Sequence, residues 1–164
     1  MTLRLATALC LVLLPLLACQ IPRGVGGAEP LSLSRVSGEG DPARRASMRL
    51  VMGGLQSDEA GRGEEASARY QRALQVDPNN PYAWLALARQ EVFEGDPERG
   101  LGHLDKARAL LGADERAAAH LAGLRGAALV AVGQPGLGRP FLQEARELAP
   151  DVWSDGKLDA AELR

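Results

Sequence analysis

The chain has 164 residues, with 19 basic and 21 acidic groups interspersed along it and a net charge of −2. That length is about one domain, and the mixed charge leaves no basic stripe for nucleic acid and no basic amphipathic helix for a membrane surface. Only two cysteines occur, Cys10 and Cys19, so the folded part has no disulfide and no cysteine metal site.

Residues 1–18 read as a secretory leader. One positive charge, Arg4, precedes an apolar run from Leu5 to Leu17 that is too short, and too soon interrupted by Pro15, to span a bilayer. It closes on Leu16-Leu17-Ala18-Cys19, which resembles the lipobox of bacterial lipoproteins. The resemblance implies acylation of Cys19 and a mature chain that begins there. Cys10 has too little apolar sequence before it for the same role. Gln20 stands where inner-membrane lipoproteins carry Asp, which implies the outer membrane, with the domain facing the periplasm. Removing the leader takes away only Arg4 among the charges, leaving 18 basic against 21 acidic groups.

Residues 19–44 are rich in Gly, Pro and Ser and lack a sustained apolar period, which predicts a flexible tether. A coil of roughly 25 residues reaches about 25 to 30 Å. Residues 45–150 then repeat. A unit at 47–80 and a unit at 81–114 align with a period of 34. Each carries a bulky residue early (Leu50, Trp84), a small one four later (Gly54, Ala88) and a Gly turn (Gly61, Gly95). Each second helix then has a small, large, small pattern: Ala66, Tyr70, Ala73, and Gly100, Leu104, Ala107. A degenerate third unit at 119–152 follows after four inserted residues, 115–118, which extend its first helix by about one turn. Ala122 replaces its large early residue, Gly133-Gln134 makes its turn, and Pro150 ends its second helix.

These positions resemble the tetratricopeptide repeat, most clearly in AWLALARQEVFEGDPERGLGHLDKARALL. The resemblance implies an all-α, short solenoid of about three helical hairpins. It also implies a groove on the inner face of the first helices that takes a peptide or helix of a protein partner. The matching positions are Met48, Val51 and Leu55, then Leu85, Arg89 and Phe93, then His120, Ala127 and Val130. Lipoproteins of this family serve as pilotins for pilus secretins, as members of outer-membrane assembly complexes, or as adaptors for cell-wall enzymes.

No catalytic residues, and so no enzyme, are expected. His103 and His120 are isolated, without an HExxH pairing, and neither GVGG nor GQPGLGRP has a phosphate-loop ending. The tail, residues 151–164, has two readings. Asp151, Asp155, Gly156, Lys157, Leu158, Asp159 and Glu162 match a calcium-loop template, but Trp153 stands at a ligand position. The calcium candidates are thus Asp151, Asp155, Asp159 and Glu162, which would make a calcium-binding structural or sensor module the alternative function. The preferred reading is a cap, in which Trp153 folds over the apolar edge of the last repeat and Ser154 or Asp155 starts a short helix. No other cofactor is expected.

Overall fold

The structure, a computed structural model, describes residues 29–164. Among these it is all-helical, in the order α1 Leu33–Val36, α2 Pro42–Glu59, α3 Gly63–Val76, α4 Pro81–Glu94, α5 Pro97–Leu111, α6 Glu115–Ala131, α7 Pro135–Leu148, α8 Pro150–Trp153 and α9 Ala160–Leu163. Helices α2/α3, α4/α5 and α6/α7 form three antiparallel hairpins that stack in sequence. No helix among the described residues is long and apolar enough to cross a membrane. Cys19 lies outside the described residues.

Local chemistry marks four of the six hairpin-helix starts. The Asp41 carboxylate accepts from Arg44 N (2.8 Å), Asn80 Oδ1 from Tyr82 N (3.0 Å), Asp96 from Glu98 N (3.0 Å) and Asp114 from Arg116 N (3.0 Å). Three of these caps are followed by proline, whose missing N–H costs nothing in a first turn. Each hairpin closes where small residues let two helices touch. A Cβ at Gly54 would overlap the Tyr70 ring, and Gly126 meets Gly138 backbone to backbone. Successive hairpins are joined through buried polar groups at their seam. The Ser47 hydroxyl donates to Ala73 O (2.8 Å) and accepts from Asn80 Nδ2 (2.8 Å).

The third hairpin carries the insertion. Helix α6 has 17 residues against 14 in α4. Gly138 lies against Val130 as Gly100 lies against Val92, so within this hairpin the step from the second unit is 38 residues rather than 34.

The predicted tether is too long. Helix α2 already begins at Pro42, and Leu31, Leu33 and Val36 are buried. The short apolar spacing in LSLSRV gives no helical or strand period, yet three side chains suffice when a preformed surface receives them. The part of the tether before residue 29 lies outside the described residues.

Candidate partner-binding groove

Helices α2, α4 and α6 line the inner face where the partner groove is expected. Met48, Val51, Leu55, Leu85 and His120 are there, but all five have no exposed surface, and Arg89 is only 3% exposed. Two segments of the same chain cover them. From the N-terminal side, Leu31 N donates to Arg116 O (2.9 Å), and Leu31 O accepts from His120 Nε2 (2.9 Å). A carbonyl can only accept, so the proton of His120 sits on Nε2. Its buried Nδ1 has no partner among the described residues, and burial lowers the pKa despite the Leu31 bond, which keeps the ring neutral.

From the C-terminal side, the Trp153 indole lies on Gly123, its ring centre 6.5 Å from that of His120. Leu158 and Leu163 are fully buried, and α9 packs against α2 and α4. Arg164 pairs with Glu59 (2.8 Å), and its carbonyl accepts from Ser34 N (2.6 Å), so the two segments also bind each other.

Arg89 is the electrostatic centre of this face. Its Nη2 donates to Asp58 Oδ2 (2.8 Å) and Glu94 Oε1 (2.9 Å), and Nη1 reaches Leu158 O (3.4 Å). Tyr70 Oη donates to the same Asp58 oxygen (2.7 Å). The Arg89 and Asp58 side chains are 4% and 1% exposed. Burial opposes the guanidinium charge, but the two carboxylates outweigh it and its pKa is raised. Burial, then Asp58, raises the Tyr70 phenol, which stays protonated as a donor.

A family model described as TPR repeat matches residues 59–89, from the end of α2 through α3 into α4. Residues 59–89 thus carry a tetratricopeptide repeat, and the stacked hairpins have the form of a short solenoid. No curated protein and no solved structure matches it. Tetratricopeptide repeats are typically non-catalytic interaction modules.

The expected partner residues are not an open site. Leu55, Leu85 and Arg89 are sealed by residues 29–36 and 153–164. Phe93 is half-buried against the core. Val130 is 40% exposed, but its side chain faces Gly138 in the hairpin seam rather than the groove. Asp58, the counter-charge of Arg89, was missed although its spacing of seven from Val51 and three from Leu55 places it on the buried stripe of α2.

The carboxylates of the calcium-loop alternative make other contacts in this structure. Asp151 lies in the first turn of α8, and Asp155 Oδ1 accepts from Lys157 N (2.9 Å). Asp159 and Glu162 close a capping box at α9, with Glu162 Oε2 accepting from Asp159 N (2.8 Å). Among the described residues no three His, Cys, Asp or Glu side chains gather to hold a metal. The tail instead folds as a plug. Trp153 packs on Gly123 of the last repeat, beside His120 on the groove face, and Asp159, not Ser154 or Asp155, caps the short helix.

Proposed function

We propose that this protein is a non-enzymatic adaptor of the bacterial envelope, anchored by lipid on Cys19 in the outer membrane, whose repeats hold a protein partner of secretin, outer-membrane assembly or cell-wall machinery. The lipobox-like LLAC supports the anchor, and the three stacked hairpins support the interaction role. The observation that carries the reading furthest is the filled groove. A peptide making the same contacts would compete with tethered segments present at an effective concentration of about millimolar. The partner is therefore taken on the outer surface of the hairpins, and the groove serves the fold.

Two measurements test this. Cys19→Ala should move the protein from the membrane to the soluble fraction. A photo-crosslinker at exposed Leu137 on α7 should trap one recurrent envelope protein, while the same group at Leu85 should trap none. A soluble wild-type protein would refute the anchor, and capture from Leu85 alone would refute the outer-surface reading.

A further inference from the structure

A cavity of about 250 Å3 opens between α5, α6 and α7. Its shape is explained by what fills the corresponding place one repeat earlier. There the Trp84 indole lies over His103, ring centres 5.4 Å apart, and its Nε1–H donates to Pro78 O at 3.0 Å. Gly112 follows Pro78 by the 34-residue step that holds before the insertion. Phe141 follows His103 by the 38-residue step that holds within the third hairpin. Both line the cavity. Trp84 itself maps to Ala118 by the first step and to Ala122 by the second, and both of these line it too. Neither alanine fills it. The cavity is the tryptophan slot of the repeat with the tryptophan missing.

We infer that this slot binds an aromatic side chain, best an indole, supplied by a protein partner. The size suffices: an apolar cavity of about 150 Å3 already accepts benzene. The walls suit it, with Leu104, Leu121 and Phe141 below a rim that carries Arg108, Glu115 and Glu144. A macromolecule is indicated by what flanks the slot. Leu137 and Leu148 lie on the same face of α7 as Phe141, at spacings of four and seven, and are 62% and 44% exposed. A small aromatic molecule would leave both wet, whereas a partner inserting one aromatic anchor would cover them. A second copy of this chain cannot supply the anchor. All six of its aromatic residues lie within the described region, and each is buried or half-buried.

The inference rests on the adaptor reading only in taking the partner to be a protein, and its test needs neither membrane nor crosslink. N-acetyl-tryptophanamide is titrated into the purified, isotope-labelled full chain while amide and methyl resonances are followed. Shifts are expected at Ala118, Ala122 and Phe141, larger for a short tryptophan-containing peptide than for the amide, and absent with N-acetyl-alaninamide. Ala122→Trp should fold with an equal or higher Tm and lose the response; Ala118→Trp is the second variant. No shift in the wild-type chain overturns the slot. Free indole binding as tightly as the peptide overturns the protein source. A lowered Tm in both variants overturns the tryptophan shape. A failed titration leaves the Leu137 crosslink unaffected, so the two readings fall separately.

Discussion

The repeat resemblance would have Arg89 present a charge to a partner, yet its neighbours make it an internal strut. Removing one member of a buried pair leaves the other charge unpaired, which costs about 3 to 5 kcal/mol. Arg89→Leu is therefore expected to lower unfolding stability by about that amount in urea melts. Adding Asp58→Leu should recover part of the loss, because the stranded carboxylate is then gone. A loss under about 1 kcal/mol would show that water reaches the pair. Trp84 shows the reverse case. Its place was legible from the repeat pattern, and its value as a ruler for the empty slot comes from the Pro78 and His103 contacts.

At the scale of elements, the hairpins were legible because their signals are local. Asp or Asn caps, proline in the first turn and small residues four apart act within a few residues of themselves. The third hairpin was found despite its degenerate helix because Gly133-Gln134 and Pro150 kept their spacing. The two terminal segments were misread for the opposite reason. Their few apolar residues have no period, and what orders them is a surface built elsewhere in the chain. Gly123 marks the meeting point. In an open helix Gly→Ala gains about 1 kcal/mol, but here the new Cβ would overlap the Trp153 indole. Gly123→Ala is expected to destabilise by about 1 to 3 kcal/mol. In a Trp153→Ala background the same change should stabilise, and equal signs in both backgrounds would show that Trp153 does not sit there. Thermal or urea unfolding of the four proteins decides.

For the whole molecule, residues 29–36 and 153–164 complete a solenoid that is barely long enough to stand alone. His120 on α6 couples them, holding Leu31 on one side and facing Trp153 on the other. This gives stability a pH signature. The folded pKa of His120 lies below its ordinary value of 6.5, with burial the cause. Above about pH 6.5 both folded and unfolded states are neutral at this ring and nothing is lost. As pH falls below that value the unfolded chain takes up a proton that the fold refuses, so stability declines. Melts between about pH 7.5 and about 5.5 should show this slope, and His120→Gln should flatten it. His103, also lowered by burial but half-exposed, leaves a residual slope. An unchanged slope in the variant would place the proton uptake elsewhere.

The sequence by itself determined the repeat, its register with the four-residue insertion, and the helical class, since these follow from spacing and capping within single units. It also placed Trp153 in a packing role, because an indole with no ligand atom is poor company for calcium. Only the tertiary structure decided that the groove is closed, that Arg89 faces Asp58 rather than a partner, and that a cavity lies between α5, α6 and α7 where the third unit lacks its tryptophan. Those facts arise from segments far apart in the chain meeting on one surface, and no local period records such a meeting.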